Sequence, residues 1–397
     1  MPTQFREVIL TGACRTPIGS FQGTLASLSA VELGAIVVKE AVRRAGIDPT
    51  KVDEVIMGCV LPAGLGQAPA RQAAIKAGLL VDVTCMTINK MCGSGLKAVM
   101  LATQAIMTGD ADIIVAGGME SMTNTPYLLD KARDGYRLGH GELIDDMIKD
   151  GLWDVYNNFH MGNAAEICAR ECNIPRNAQD EFATMSYKRA LAAQEKGLFA
   201  KEIVPVPIAQ KKGEPIFVKE DEEPKKVNFE KMLTLRPAFD KEGTVTAANA
   251  SKINDGAAAV VVMAKEVADK LGIKPQAKLL AQASTAKKPE WFTTAPIDVI
   301  EKILKKSGFT LDQIDLFEVN EAFSVVALVT QQKLGIPMER FNVHGGAVAL
   351  GHPIGASGCR ILTTLIYALQ EYKKKYGLAA ICIGGGEASA VIVENVA

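Results

Sequence analysis

A cysteine that could act as a nucleophile stands at the start of a glycine-rich turn. Cys92 comes directly before Gly93-Ser94-Gly95, which opens an apolar helical segment. A helix N-terminus carries roughly half a positive charge, which stabilises a thiolate and lowers the pKa of the cysteine. The glycines also leave backbone amides free to bind an oxyanion. Cys92 is therefore a candidate nucleophile, although on this pattern alone a buried core thiol is as good an interpretation.

A histidine that could activate this thiol lies in a second glycine-rich segment. His352 falls within the run 345–358, which holds several glycines and one proline. Such a run is poor core material and typical of a functional site. A neutral imidazole is the usual partner that activates a thiol, so His352 is the expected base.

Two further candidates follow buried apolar strands. Cys382 precedes Gly384-Gly385-Gly386, and Asn320 begins the segment Asn320-Glu321-Ala322-Phe323. Open α/β sheets hold their sites at the carboxyl ends of strands, and an asparagine there could hold a carbonyl group or a water. A packed thiol and a helix N-cap are the alternatives. Cys168 and Cys172 do not predict a zinc site, because no fourth ligand follows at zinc spacing.

The bulk composition excludes several classes of protein. The length of 397 residues suits two or three domains. A formal net charge of −1 gives no electrostatic footprint for nucleic acid or for an anionic membrane. No apolar run approaches the roughly 18 residues of a membrane span, and no export signal is expected. Eight scattered cysteines do not suggest a disulfide framework, which favours a cytoplasmic setting.

The elements that would position these residues repeat one plan twice. A helix ending at a glycine is followed by a strand, and one constant spacing separates Gly46 from Gly308, Asp53 from Asp315 and Gly58 from Asn320. The glycine turn at Cys92 and the run after His352 each open an apolar helix that leads to a buried strand. This alternation predicts parallel sheets covered by helices, arranged as two pseudo-symmetric α/β halves.

A segment of different character separates the two halves. Residues 120–246 are rich in aromatic residues, glycine and proline and carry a charged run near residue 220. Apolar periodicity resumes at 255–263, a predicted buried strand that completes the first half. The predicted domains are an N-terminal half (1–119), an inserted loop lobe (120–248), the completion of the first half (249–272) and a C-terminal half (273–397).

Taken together, these motifs resemble the thiolase family, most closely its biosynthetic branch, over nearly the whole chain. The matching segments occur in family order: Arg15-Thr16-Pro17-Ile18-Gly19, Asn89-Lys90-Met91-Cys92-Gly93-Ser94-Gly95, Gly117-Gly118-Met119-Glu120-Ser121-Met122, His160-Met161-Gly162, Asn249-Ala250-Ser251, Asn320-Glu321-Ala322-Phe323, Gly351-His352-Pro353 and Cys382-Ile383-Gly384-Gly385-Gly386. The resemblance implies a layered α-β-α-β-α fold with an inserted lobe. It also implies acetyl transfer between two acetyl-CoA molecules, giving acetoacetyl-CoA and CoA.

The resemblance further implies a role for each candidate residue. Cys92 would take the acyl group as a thioester, and His352 would activate it. Cys382 would be the acid/base that removes a proton from the second acetyl-CoA. Asn320 would hold a water that forms one oxyanion hole with His352. The backbone amides of Cys92 and Gly384 would form the other.

The expected substrate site follows from the same resemblance. No tightly bound cofactor is implied, since coenzyme A thioesters are the substrates, and a homo-oligomer, either a tetramer or a dimer, is expected. The inserted lobe would carry the coenzyme A site. The residues expected to line the substrate site are Leu152, His160, Met161, Ala247, Ser251, Ala322, Phe323 and Phe292.

Three departures from the family pattern leave alternatives open. Phe292-Thr293-Thr294-Ala295-Pro296 replaces the usual segment near the acyl pocket, so the chain-length preference is not fixed. Glu387 follows the glycine turn and would raise the pKa of Cys382 if its side chain faced inward. Either Lys225 or Lys226 could meet the coenzyme A phosphates.

Two alternative functions accompany the first interpretation. The runner-up is a degradative 3-ketoacyl-CoA thiolase of broader chain length. A non-catalytic acyl-CoA-binding scaffold is disfavoured, because it would have lost one of Cys92, His352 and Cys382, and this chain keeps all three. A ketoacyl synthase would show two catalytic histidines or a His-Asn pair in place of Cys382.

Overall fold

Ten strands of the described chain hydrogen-bond into one continuous sheet. The structure is a computed structural model that describes residues 5–397. The strands are β1 (Val8–Arg15), β2 (Gly19–Ser20), β3 (Glu54–Gly58), β4 (Thr84–Ile88), β5 (Ile113–Ser121), β6 (Asn254–Ala264), β7 (Ala277–Ala286), β8 (Leu316–Val319), β9 (Tyr376–Ile383) and β10 (Glu387–Asn395). Their order is β8-β9-β10-β7-β1-β6-β5-β3-β4, and the short β2 pairs with β6.

Helices cover both faces of this sheet and fill the lobe. They are α1 (Ala30–Ala45), α2 (Pro69–Lys76), α3 (Ser94–Thr108), α4 (Met161–Glu171), α5 (Arg176–Glu195), α6 (Phe229–Met232), α7 (Lys265–Leu271), α8 (Ala295–Ser307), α9 (Ser324–Leu334), α10 (Ala347–Leu350) and α11 (Ile354–Glu371). Within the described residues, no helix has the length and apolarity needed to cross a membrane.

The two faces of each central strand pack in different hydrophobic cores, and these cores define the layers of the fold. Along β6, Ala257, Ala259 and Val261 pack in a core with α1 and α2, whereas the alternate residues enter a second core with α3 and α11. In the other half, alternate residues of β9 enter this same central core or a third core with α8 and α9. The α-β-α-β-α arrangement is therefore confirmed, with α3 and α11 as the central layer.

The sheet is mixed, so the prediction of parallel sheets is only partly right. The pairs β3–β4, β3–β5 and β8–β9 are parallel. The strand predicted at 255–263 completes the first half by pairing antiparallel with both β1 and β5. Likewise β9 and β10 are antiparallel, because a short glycine turn joins them. The two halves are linked where β1 meets β7 through the backbone of Ile9 and Leu10.

The internal repeat is visible in matching backbone contacts. Gly46 and Gly308 end α1 and α8 in the left-handed conformation, at φ 68° and 76°. The Asp53 carboxylate accepts two backbone N–H bonds, of 2.8 and 2.9 Å, at the start of β5. The Asp315 carboxylate does the same at the start of β9, at 3.0 and 2.8 Å. The constant spacing in the sequence therefore marks a repeated structural unit.

A buried arginine ties the inserted segment to the first half. Arg15, at the end of β1, donates to the carboxylates of Glu202, at 2.6 Å, and Asp221, at 2.6 and 2.9 Å. All three side chains are buried. A buried charge is tolerated when it is paired and fully hydrogen-bonded, so this cluster fixes two stretches of the lobe.

Candidate active site

The loop that carries Cys92 is a tight, strained turn between β4 and α3. Met91, a non-glycine residue, has φ 46°. The Ser94 hydroxyl accepts the backbone N–H of Lys90 at 2.8 Å and donates to the Met91 carbonyl at 2.6 Å. A Cβ on Gly93 would lie 2.4 Å from Cδ1 of Ile383, so the glycine lets the loop approach β9. The loop thus presents Cys92 toward the end of β9.

The thiol of Cys92 is neutral in the free protein. Burial raises its pKa to about 11, with Glu120 acting in the same direction, while the backbone amides of Gly384 and of Cys92 itself pull the pKa down. The backbone amides at the helix start thus lower the pKa as predicted, but the net shift is upward. Desolvation of a thiolate outweighs the amide dipoles here.

His352 is held as a neutral base. Its Nδ1 lies 2.6 Å from Oγ of Ser357, whose hydroxyl proton goes to the Pro353 carbonyl at 2.9 Å. The Ser357 oxygen therefore accepts from Nδ1–H, and the lone pair is left on Nε2. Burial, followed by the charge of Arg360, lowers the pKa of His352 to about 3. The backbone N–H of His352 donates to Oδ1 of Asn254 at 2.9 Å.

A buried carboxylate braces the loops around these residues. Glu120, at the end of β5, accepts backbone N–H bonds from Val60 at 3.0 Å, Leu61 at 3.1 Å and Gly355 at 2.8 Å. Burial raises the pKa of Glu120 to about 7, and the backbone donors oppose that rise. One side chain therefore fixes the start of α11, beside His352, against the loop after β3.

Cys382 and Asn320 lie behind the cleft rather than on its wall. Both are fully buried, at the ends of β9 and β8. Burial raises the pKa of Cys382 well above its usual value, the nearby thiol of Cys92 adds to the rise, and the backbone amide of Ala322 opposes it. Neither Oδ1 nor Nδ2 of Asn320 has a hydrogen-bond partner among the described residues, and the same holds for Nε2 of His352.

One cleft brings most of the predicted residues together. Its wall includes the predicted residues Cys92, His352, Gly384, Leu152, Met161, Ser251, Phe292, Ala322 and Phe323. It also includes residues that were not predicted to line the site: Met122, Gly151, Phe239, Ala250, Lys252, Ile253 and Ile354. The wall of the cleft is mostly apolar and carries a few polar groups, as is usual for small-molecule sites.

Two predicted contact residues lie off this wall. His160 caps α4, because its Nδ1 accepts the Gly162 N–H at 3.0 Å, and its ring stacks on Phe239 at 4.8 Å between centroids. It therefore supports a wall residue from behind. Ala247 is exposed, shortly before the wall residue Ala250.

The departures at Glu387 and at the two lysines have structural outcomes. Glu387 pairs with Ile383 across β9 and β10, whereas Cys382 pairs with Ala388, so Glu387 faces away from Cys382. Its carboxylate forms an ion pair with Lys90 instead. It therefore does not set the pKa of Cys382.

The lysine candidates are engaged locally. Lys225 is paired with Glu220, and Lys226 donates to Glu222 at 2.6 Å and to Ser20 at 2.7 Å. Across the described part of the chain, no group of three or more histidine, cysteine or acidic side chains could hold a metal ion.

Sequence reasoning missed the residues that orient the site. Ser357 hydrogen-bonds the imidazole ring of His352, and Asn254 accepts the backbone N–H of His352. Glu120 accepts the backbone N–H of Gly355, three residues after His352. Ser357 was within reach of the sequence, since it lies five residues after His352 in a predicted helix. The other two act from distant strands, and a single sequence carries no signal of such pairings.

The arrangement defines a class of α/β protein with a cysteine-based site. A thiol, a neutral imidazole, a second buried thiol and free backbone amides meet at the ends of two central helices and one strand. Such a site can form and break a thioester on a cysteine.

Comparisons with known proteins assign the family. Residues 8–266 match the model for the N-terminal domain of thiolase, and residues 273–395 match the model for its C-terminal domain. The chain belongs to the thiolase family.

Similar proteins cover nearly the full length. An acetyl-CoA acetyltransferase from Cupriavidus necator is 53% identical over 98% of this chain and 99% of its own length. Acetyl-CoA acetyltransferase 1 from Arabidopsis thaliana is 52% identical over 98% and 95%.

Solved structures give the same result for the fold. The crystal structure of the Bacillus anthracis acetyl-CoA acetyltransferase superposes with a TM-score of 0.97 at 39% identity, covering 99% of this chain and 100% of that one. The Acat5 thiolase from Ascaris suum in complex with coenzyme A gives 0.94 at 44% identity, covering 98% and 100%.

Proposed function

We propose that this chain is an acetyl-CoA C-acetyltransferase that interconverts two acetyl-CoA with acetoacetyl-CoA and CoA. One observation carries the proposal: Cys92, His352 and Gly384 line one cleft, with the Gly384 amide acting on the Cys92 thiol. The names of the full-length relatives, acetyl-CoA acetyltransferase, agree with this activity.

In the first half-reaction Cys92 becomes acetylated. Its sulfur attacks the thioester carbonyl of acetyl-CoA while Nε2 of His352 takes the thiol proton. The backbone N–H groups of Cys92 and Gly384 stabilise the oxyanion. The C–S bond to coenzyme A then breaks, and the leaving thiolate takes a proton from Cys382. The acetyl group now sits on Cys92, and Cys382 is a thiolate.

In the second half-reaction the carbon–carbon bond forms. The Cys382 thiolate removes an α proton from a second acetyl-CoA, and the enolate oxygen is stabilised by protonated His352 and a water held by Asn320. The α carbon attacks the acetyl carbonyl on Cys92. Cys92 leaves and recovers its proton from His352, so every group returns to its starting state. The raised pKa of Cys382 suits this step, because a strongly basic thiolate is needed for a weakly acidic C–H.

The packing of the apolar wall favours a small acyl group as substrate. Phe292 is buried and packs edge-on against Phe323, with ring centroids 6.4 Å apart. Phe239 also packs edge-on against Phe323, with ring centroids 6.2 Å apart. We propose that Phe292 closes the acyl end of the cleft, and that Leu152, Met161, Ser251 and the neighbouring His160 and Ala247 serve the coenzyme A moiety.

We also propose a cytoplasmic homo-oligomer, a tetramer or a dimer, divided into the domains given above. All eight cysteines are free, which suits a reducing compartment. The lobe exposes large apolar side chains that association would cover, among them Tyr127, Leu138, Leu143 and Tyr156. Light scattering on the purified chain tests the oligomer.

The activity is tested by CoA-dependent cleavage of acetoacetyl-CoA beside 3-ketohexanoyl- and 3-ketodecanoyl-CoA. Cys92→Ala provides the blank, and Cys172→Ala, at another partly exposed cysteine, provides the control. Cleavage confined to the four-carbon substrate supports the proposal. Comparable rates on the longer chains would assign a broad 3-ketoacyl-CoA thiolase, and absence of any Cys92-dependent cleavage would overturn the enzyme assignment.

A further inference from the structure

Two loops from opposite halves of the chain meet at the nucleophile. The first is the Cys92 loop, 89–93, and the second is the glycine turn, 384–386, between β9 and β10. Gly93 packs closely against the side chain of Ile383, the last residue of β9 before the glycine turn. Cys92 and Gly384 line the same cleft, and the Gly384 amide lowers the pKa of the Cys92 thiol. The site therefore depends on the relative position of these two loops.

One ion pair joins the two loops through their side chains. Lys90 lies two residues before Cys92, and Glu387 is the first residue after the glycine turn. Nζ of Lys90 contacts Oε2 of Glu387. Their side chains are 24% and 37% exposed, so solvent screens the pair only in part.

The backbone at both ends of this pair is well defined. The Lys90 N–H is bound by Ser94, and the Lys90 carbonyl accepts the Gly93 N–H at 3.0 Å. Glu387 lies in register with Ile383 on one side and with Ala286 on the other. Because both backbones are hydrogen-bonded in place, the ion pair between the two side chains also restrains the positions of the two loops.

We propose that Lys90 and Glu387 are positioning residues, whose ion pair holds the Gly384 amide against Cys92. This inference rests on the proposed function for its catalytic consequence. Apart from the Gly384 amide at the Cys92 thiol, the Lys90–Glu387 pair is the one polar side-chain contact that joins the two loops among the described residues. Loss of the pair lets the glycine turn move away from the thiol.

The test measures alkylation of Cys92 by iodoacetamide at fixed pH, followed by peptide mass mapping. The variants are Lys90→Met, Glu387→Gln and the charge exchange Lys90→Glu with Glu387→Lys. Lys265→Met is the matched control, because it removes the exposed ion pair with Asp269, which is remote in the fold from Cys92. Thermal unfolding of each variant identifies any that fails to fold, and Glu387→Gln, the milder change, then decides.

Positioning predicts that Lys90→Met and Glu387→Gln both slow alkylation, by roughly three- to tenfold, since each releases the amide from the thiol. The charge exchange should recover most of the rate, and Lys265→Met should leave it unchanged. In acetoacetyl-CoA cleavage, kcat should fall by a similar factor with little change in KM.

A purely electrostatic influence gives a different pattern. Removing the positive charge would slow alkylation, while removing the negative charge would speed it, and that opposite pair of results would overturn the proposal. Unchanged alkylation in both variants would overturn it too. Because alkylation needs no coenzyme A substrate, a wild-type chain that is alkylated normally but cleaves no acetoacetyl-CoA would refute the proposed function and leave the positioning role standing.

Discussion

Nδ1 of His352 lies 2.6 Å from Oγ of Ser357, within the first turn of α11. Because the Ser357 hydroxyl donates to the Pro353 carbonyl, its oxygen fixes the imidazole in the tautomer with a free Nε2. The nucleophile can therefore be activated without an ion pair in the resting state. A mutation of Ser357 therefore tests the orientation of His352 while leaving the imidazole itself in place.

Ser357→Ala should reduce kcat for acetoacetyl-CoA cleavage by about tenfold, as expected when a hydrogen bond that orients a base is lost. KM should change little, because Ser357 does not line the cleft. Ser307→Ala is the matched control: it also donates to the carbonyl four residues earlier, at 2.7 Å, but contacts no histidine. Equal kcat in the two variants would refute the orienting role.

The alkylation rate of Cys92 should rise about tenfold per pH unit between about pH 7 and 10, without a plateau, since the thiolate is the reactive form. The reason is that burial raises the pKa of the Cys92 thiol to about 11, while the pKa of His352, near 3, keeps its imidazole neutral throughout. Iodoacetamide labelling with peptide mapping measures the profile. A plateau at or below pH 8 would indicate a preformed thiolate–imidazolium pair.

Phe292→Leu should widen the acyl end of the cleft. The ratio of kcat/KM for 3-ketohexanoyl-CoA to that for acetoacetyl-CoA is expected to rise roughly tenfold, as for a pocket that gains room for a methylene or two. Phe309→Leu is the control, because this ring packs on Tyr376 and does not line the cleft. An unchanged ratio in Phe292→Leu would place the end of the acyl pocket elsewhere.

Glu120→Gln should lower the free energy of unfolding by about 2 kcal/mol or more, because an amide NH2 would face backbone donors that now bind a carboxylate. Activity should fall as well, since Gly355 and the adjacent His352 loop lose their anchor. Urea unfolding and steady-state kinetics measure the two effects. Glu54→Gln, at the partly buried start of β3, is the control, and equal destabilisation in both would contradict the bracing role.

The local elements were predictable because their signals are local. Gly46 and Gly308 end α1 and α8 as predicted. Strand direction was not predictable in the same way. β6 returns to the first half only after the whole lobe, and nothing in its apolar run distinguishes a parallel from an antiparallel neighbour.

In the candidate site, too, the features with local sequence signals were predicted and those that depend on distant residues were not. Residue types and glycine turns indicated Cys92 and His352, the family resemblance implied Gly384, and all three lie on one cleft. The pKa of Cys92 was predicted in the wrong direction, because a sequence shows the helix start but not the burial. The role of Glu120 was invisible, since its donors lie as far as 235 residues away.

If Cys92 carries the acetyl group during turnover, its acetylated form can be detected by mass spectrometry of the peptide that contains it. The chain is incubated with acetyl-CoA alone, quenched in acid and digested for peptide mass mapping. We expect one added acetyl group on the peptide that contains Cys92, lost on addition of CoA and absent from Cys92→Ala. An unmodified Cys92 peptide, or an acetyl group on another residue that turns over with CoA, would contradict it.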